Sequence, residues 1–334
     1  MNRGSVTMRA GLFLLIVLLP GLATAIELKI ATQYPDGTST IKALRDAGEQ
    51  IGEATDGRVS LRIYPGGTMG DDRSVHRRIR VGQLHGGLAQ LGAFAREYRD
   101  SQVLNLPLVF RDYGEVDHVR EELDSEIRQG FRENGWHIFG PVDGGFAYIM
   151  SQEPVTSVDD FRERDLWLPA NDPASEKAAR VFGLSPVVLD VSNVLTSLQT
   201  GVIDSLVAPP VAALTLQWYS RVEYLTEMPL LYTWGLLAIS DRHFSRISDE
   251  DQQVVREILD ETFAELDRSE RESNREALKA MENQGIELVR PDEDQLEEWR
   301  HYAERTTEEL VEAGEVSEKM LERLNGLLEE YRGQ

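Results

Sequence analysis

The chain has 334 residues, of which 58 are acidic and 35 are basic, so that its formal net charge at neutral pH is −23. This charge disfavours binding to nucleic acid or to anionic lipid surfaces. The chain contains no cysteine, which excludes disulfide bonds, thiolate metal sites and cysteine nucleophiles. Its six histidines are scattered, and neither a zinc-protease motif nor a G-x-S-x-G elbow is present. We therefore expect no catalytic residues, no bound metal and no cofactor.

The first 25 residues have the features of an export signal. Arg3 and Arg9 give a positive start, the stretch Ala10–Leu19 is apolar, and Ala23-Thr24-Ala25 satisfies the small-x-small rule for cleavage. The apolar stretch is too short to span a bilayer. We predict a signal peptide over residues 1–25 and a mature chain without membrane insertion. The alternative interpretation is a hydrophobic first helix of the fold.

After this segment, runs with a two-residue hydrophobic period alternate with runs of helical period. The predicted strands are 26–33, 59–64, 88–91, 136–139, 146–151, 166–168, 187–189, 202–206, 231–239 and 286–289. The predicted helices are 39–54, 72–81, 113–134, 173–182, 191–200, 248–283, 293–313 and 317–331. This alternation predicts an α/β fold with a mainly parallel sheet and helices on both of its faces.

The length of the mature chain is sufficient for two lobes. We expect the chain to cross between them near Ser151 and again near Ala238, so that the second lobe is an insertion. The first lobe (lobe I) then comprises residues 26–150 and 239–334 with a bridging helix and the C-terminal helices, and the second (lobe II) comprises residues 151–238. Ligands of open α/β sheets bind beyond the carboxyl ends of the strands, which here is the cleft between the lobes.

Several motifs resemble those of a known family. The segment Val194–Asp204 predicts a helix that ends at Gly201 and is followed by a short strand. The amino-acid sequence of this segment resembles the signature of the DctP-type solute-binding proteins of TRAP transporters. Tyr64–Gly70, Leu106–Phe110 and Val158–Phe161 resemble further segments of that family in the same order.

The resemblance extends over residues 26–330. It implies a two-lobed periplasmic-binding-protein-like fold with a long helix that bridges the lobes. It also implies a periplasmic protein that captures a small organic ligand in the cleft and delivers it to the permease subunits in the membrane. An alternative is a subunit that presents its ligand to a membrane sensor kinase.

The chain departs from the family at two positions that bear on the ligand. The resemblance implies an arginine at the strand entering lobe II, where it pairs with a substrate carboxylate, but Asp165-Leu-Trp-Leu-Pro169 has Trp167 at that place. Ala208 stands where the family usually has asparagine. An indole provides an apolar face, one N–H donor and a surface for a cation, so we expect an uncharged, aromatic, cationic or zwitterionic ligand rather than a dicarboxylate. The alternative is that Trp167 is only a core residue.

Further candidate ligand contacts stand at strand ends, at a helix start or on strands next to the cleft. They are Gln33, Tyr34, Gln90, Phe146, Asn193, Tyr232 and Trp234. Core packing is the alternative for the aromatic members, and an ordinary turn or cap is the alternative for the polar ones. Arg77, Arg78 and Arg80 are interpreted as a solvated helix face, with one of them reaching the cleft as the alternative.

Overall fold

The computed structural model describes residues 25–170 and 172–333. The predicted signal peptide, apart from Ala25, lies outside these residues. The strands of the described residues are β1 Ile26–Thr32, β2 Val59–Tyr64, β3 Gly86–Gln90, β4 Trp136–Ser151, β5 Trp167–Pro169, β6 Val187–Leu189, β7 Ser205–Ala208, β8 Tyr224–Thr226, β9 Leu231–Ser240 and β10 Glu287–Val289.

The α-helices of the same residues are α1 Ser39–Ala54, α2 Asp72–Arg80, α3 Tyr113–Glu133, α4 Val158–Arg162, α5 Pro173–Val181, α6 Val194–Thr200, α7 Pro210–Thr215, α8 Asp241–Phe244, α9 Asp249–Asn283, α10 Glu293–Glu312 and α11 Glu318–Arg332. None of them is long and apolar enough to cross a membrane. The prediction of an α/β fold is confirmed, and the sequence patterns missed the short elements α4, α7, β8 and α8.

The main sheet has the strand order β10-β8-β4-β9-β3-β1-β2, with β7 also paired to β4. β1 pairs in parallel with β2 and β3, whereas β9 pairs antiparallel with both β3 and β4. The sheet is therefore mixed, and the expectation of a mainly parallel sheet was wrong. The reason is that the chain leaves lobe I along β4 and returns along the neighbouring strand β9, and two such strands must run in opposite directions.

Strand β4 connects the two halves of the molecule. The sequence predicted two strands here, but the structure has one continuous strand of 16 residues. Residues as far as Ala147 pair with β9, and Tyr148–Ser151 pair with β7. Register shifts between Phe139 and Val142 and between Asp143 and Gly145 bend the pairing. The partners change at the point where the strand passes from lobe I to lobe II.

Helix α9 is the second connection. Its 35 residues make it about 50 Å long. Near its start Val255 and Leu259 pack in the core that contains Leu28, and near its end Met281 packs in the core that contains Leu206. The expectation of a helix that spans both lobes agrees with this arrangement.

Because α9 ends on lobe II, the chain that follows it also packs there. β10 pairs with β8, and Trp299 of α10 lies between Phe161 and Phe182, with ring centroids 5.5 and 5.6 Å away. The chain returns to lobe I at the end of α10, where Leu310 packs in the core that contains Val119 of α3, and α11 packs against α3.

An ionic cluster lies where β4 meets α9. Arg271 donates from Nε to the carboxylate of Asp143 at 2.8 Å and also pairs with Asp117 and Asp267. The Asp143 side chain is fully buried. Its burial raises its pKa to about 6, and the neighbouring Arg271 guanidinium acts in the opposite direction. Arg271 is shared among three carboxylates, so it neutralises Asp143 only in part.

This cluster predicts a pH-dependent contribution to stability. Because the pKa of Asp143 is raised on folding, the stability that it contributes is present below the ordinary aspartate pKa and is lost as the pH rises through about 6. We expect the free energy of unfolding of the wild type, minus that of Asp143→Asn, to fall by on the order of 1–3 kcal/mol between pH 4 and pH 7. Urea unfolding at each pH measures this difference. Asp46→Asn, which removes an exposed carboxylate from α1, is the control, and a difference that stays constant or rises contradicts the prediction.

Candidate functional site

A cavity of about 880 Å³ lies in the cleft between the two lobes. Its lobe I side includes Gln33, Tyr34 and Gln90, and its lobe II side includes Trp167 and Phe182. The strands that join the lobes form its base, through residues 142–144 of β4 and Leu231, Thr233 and Gly235 of β9. The cavity thus takes residues from both lobes and from the two strands that join them.

The lobe I side is polar because two parallel strands end there. Gln33 and Tyr34 follow β1, and Gln90 is the last residue of β3, so that all three lie at one edge of the sheet. Gln90 Nε2 donates to the Tyr34 hydroxyl at 2.9 Å. Burial raises the pKa of Tyr34 to about 12, and the Glu270 carboxylate adds to the effect. The phenol therefore stays neutral, with its proton available to an acceptor.

Gly235 leaves open the space beside the Tyr34 hydroxyl. A Cβ at Gly235 would lie 3.1 Å from the Ala89 carbonyl oxygen and 3.4 Å from the Tyr34 hydroxyl oxygen. The first distance is tighter than most Cβ contacts and the second is an ordinary van der Waals distance, so a side chain here would press on the backbone of β3 and fill the space next to Tyr34.

The lobe II side is mainly apolar, and Trp167 is part of it. Trp167 lines the cavity, yet only 6% of the residue is exposed, and it packs edge-on against Trp218 with ring centroids 5.2 Å apart. Its indole N–H donates to the Leu189 carbonyl oxygen at 3.0 Å. The one donor of the indole is therefore already bonded within lobe II.

Three of the predicted aromatic contacts point away from the cavity. Tyr232 and Trp234 share one side of β9, as the sequence predicted, but that side packs into the lobe I core together with Phe146. The cleft side of the strand carries the intervening residues, Thr233 and Gly235. Successive side chains of a strand point to opposite faces of the sheet. The two aromatic residues that we predicted as ligand contacts therefore both lie on the core face of β9. Tyr232 and Trp234 are at most 1% exposed, and Phe146 is 6% exposed.

Asn193 also lies away from the lining of the cavity. It is exposed, at the end of a short 3₁₀ turn that precedes α6. Of the predicted ligand contacts, the structure brings together Gln33, Tyr34, Gln90 and Trp167.

Five carboxylate residues line the cavity, and none was proposed as a ligand contact from the sequence: Asp72, Glu97, Asp143, Asp172 and Glu270. Asp72 is the first residue of α2, whereas its neighbour Asp71 makes the cap, accepting from the backbone N–H of Ser74 at 2.8 Å. Glu270 lies on α9, in a run of charged residues whose local sequence does not indicate which of them faces the cleft. Burial raises the pKa of both Asp72 and Glu270.

Arginines line the mouth of the same cavity. Arg73, Arg77 and Arg80 lie on one face of α2, and Arg96 follows β3; all four are exposed. The cleft therefore receives Arg77 and Arg80, whereas Arg78 is outside its lining. Exposed ion pairs contribute about 0–1 kcal/mol, because water and salt screen exposed charges such as these four arginines.

Comparison with known proteins gives a consistent picture. The model of the DctP family, described as bacterial extracellular solute-binding protein family 7, matches residues 30–313. The sialic acid-binding periplasmic protein SiaP of Vibrio cholerae is 23% identical over 273 residues, which cover 80% of this chain and 84% of that protein. The C4-dicarboxylate-binding periplasmic protein DctP of Rhodobacter capsulatus is 23% identical over 270 residues, with 80% of each chain covered.

Solved structures share the fold. A TRAP periplasmic solute-binding protein of Haemophilus influenzae with bound L-gulonate superimposes with a TM-score of 0.81 at 20% identity, covering 90% of this chain and 99% of that one. One from Pseudomonas putida F1 with bound D-glucuronate has a TM-score of 0.78 at 21% identity, covering 90% and 97%. The expected two-lobed fold is confirmed.

Proposed function

This chain belongs to the DctP family of bacterial extracellular solute-binding proteins, and we propose that it captures a small organic solute between its lobes and delivers it to the membrane permease of a TRAP transporter. The observation that carries the proposal is the cavity of about 880 Å³ with residues of both lobes in its walls. Cavities that bind small molecules typically have volumes of about 300–1,000 Å³.

The mechanism that we propose is closure of the lobes around the solute. A ligand that touches both lobes stabilises the closed arrangement, because it makes its full set of contacts only there. We propose that the lobes divide where β4 exchanges β9 for β7, near Ala147, and that the chain returns before Leu231, a few residues earlier than the crossings near Ser151 and Ala238 that the sequence predicts. Both crossings then lie close together beneath the cavity. The closed form then presents one surface to the permease.

We propose Gln33, Tyr34 and Gln90 as the polar contacts from lobe I and Trp167 as the contact from lobe II. These four line the cavity, and they approach it from opposite sides. Phe146, Tyr232 and Trp234 then have a supporting role, because they fix β4 and β9 from the core.

The proposal also specifies where the protein is located and whether it converts its solute. The relatives described above carry periplasmic names, and the first 25 residues have the pattern of an export signal, so we propose a periplasmic protein that binds its solute without turnover. The alternative role, presenting a ligand to a sensor kinase, gains no support from those relatives and structures.

Solute binding predicts a ligand-dependent gain in stability and a more compact shape. Mature protein refolded from denaturant, to remove any carried solute, is screened with small organic compounds by thermal unfolding. A solute at a hundred times its Kd adds about 2.7 kcal/mol to the free energy of unfolding, which raises Tm by several degrees. Small-angle scattering of the same samples should show a smaller radius of gyration with the solute. A stabilising solute that leaves the scattering unchanged contradicts closure.

The position of Trp167 predicts that its replacement affects affinity. Trp167→Phe and Trp299→Phe each remove one buried indole N–H bond to a carbonyl, to Leu189 at 3.0 Å and to Thr156 at 2.9 Å. Each should cost about 1 kcal/mol of stability. Only Trp167→Phe should also raise the Kd of the stabilising solute, by about fivefold, because only Trp167 lines the cavity. Calorimetric titration of both variants measures this. Equal Kd values in wild type and Trp167→Phe would remove Trp167 from the proposed contacts.

A further inference from the structure

The inner carboxylates of the cleft allow the class of solute to be specified further. Asp72 reaches the cavity from the first turn of α2 in lobe I, and Glu270 reaches it from the bridging helix α9. Tyr34 lies within electrostatic reach of both carboxylates. The three side chains come from three separate elements and face one cavity, so a single bound group can contact more than one of them.

Neither carboxylate forms an ion pair with a lysine or arginine among the described residues, and the basic group that acts on Asp72 is His76. Glu270 accepts only long hydrogen bonds, from the hydroxyls of Ser39 and Thr40 at 3.4 Å each. The groups that act on Asp72 are Gln33 and His76, which stabilise its charge, and Asp71 and Asp190, which oppose it. Other carboxylates near the cleft are better satisfied: Asp143 pairs with Arg271. Charge on Asp72 and Glu270 is therefore left for a ligand to neutralise.

The opposite wall restricts the rest of the solute. Trp167, Leu168 and Phe182 of lobe II line the cavity and are buried. The position where the family resemblance implies a carboxylate-binding arginine is occupied by Trp167, whose only donor is already bonded to Leu189. A solute that spans this cleft meets acceptors and negative charge on lobe I. On lobe II it meets mainly apolar surface, and the Asp172 carboxylate in that wall accepts hydrogen bonds from the Ser175 backbone N–H and hydroxyl.

We propose that the solute carries a protonated nitrogen, as an amine, guanidinium or zwitterion, which binds between Asp72 and Glu270 while its carbon body lies against the lobe II wall. This inference rests on the proposed function. A protonated nitrogen donates charge-assisted hydrogen bonds to carboxylates, which are stronger than bonds between neutral groups. An anionic solute would instead rely on the exposed arginines at the mouth and would place its charge beside two carboxylates that form no ion pair with a lysine or arginine among the described residues.

The test uses yeast extract as a source of diverse small molecules. Passage over a cation exchanger at low pH retains every compound with a basic nitrogen, zwitterions included. The remainder is divided into neutral and anionic fractions at neutral pH. Each fraction is added to refolded mature protein, and Tm is measured. Putrescine, 1,4-butanediol and succinate form a defined set with the same carbon chain and different charge.

Variants identify the groups responsible. Glu270→Gln and Asp72→Asn keep the size of each side chain and remove its charge, and each should reduce affinity for the stabilising cationic compound at least tenfold. Glu265→Gln removes an exposed charge from the same helix as Glu270, and Arg77→Gln removes an arginine from the mouth. Glu265→Gln should leave the affinity within about twofold of wild type. Arg77→Gln, which removes a positive charge from the cavity lining, should not lower the affinity for a cation.

The outcomes separate this inference from the proposed function. Stabilisation by the nitrogen-bearing fraction, lost in Glu270→Gln and Asp72→Asn and kept in Glu265→Gln, is the expected result. Stabilisation by the neutral or anionic fraction alone, or an affinity that falls in Arg77→Gln and not in the carboxylate variants, overturns the inference and leaves solute binding intact. If no fraction raises Tm, solute binding itself fails, and the inference fails with it.

Discussion

The hydrogen bonding of β4 is the constraint on which the site depends. A single strand pairs with β9 as far as Ala147 and with β7 in its last four residues, so it belongs to both halves of the molecule. The cavity lies above this exchange of partners, and the ion pair of Asp143 with Arg271 ties the same point to the bridging helix. In the closure that we propose, the lobes move about the point where the pairing is irregular, and the regular pairing on either side of it is kept.

The two lobes contribute different chemistry to the cleft. Lobe I presents strand-end amides, a phenol and carboxylates, whereas lobe II presents mainly tryptophan, leucine and phenylalanine side chains, with Asp172 among them. The arginines of the cavity lining are exposed, so water screens their charge. In the mechanism that we propose, lobe I recognises the polar head of the solute and lobe II buries its carbon body, and the solute makes both sets of contacts only when the cleft is closed.

Much of the fold followed from local patterns, because hydrophobic period and caps act over a few residues. Thr38 and Ser248 cap α1 and α9, and Gly201 ends α6 in the left-handed conformation. The direction of β9 and the position of β10 on lobe II could not be predicted from local patterns, because both depend on how segments distant in the sequence pack together. The same holds for the candidate site. The strand ends correctly indicated that Tyr34 and Gln90 line the cavity, whereas the aromatic residues of β9, which we expected there, lie in the core.

The sequence by itself determined the α/β class, the order of the long elements, the resemblance to the family and the loss of its arginine at Trp167. The tertiary structure decided which face of each strand meets the cleft, since alternation gives two faces and only packing selects one. It also decided that Asp72 and Glu270 share a cavity. The sequence does not predict that two carboxylates almost 200 positions apart lie in one cavity, because their proximity arises from the packing of α9 against α1.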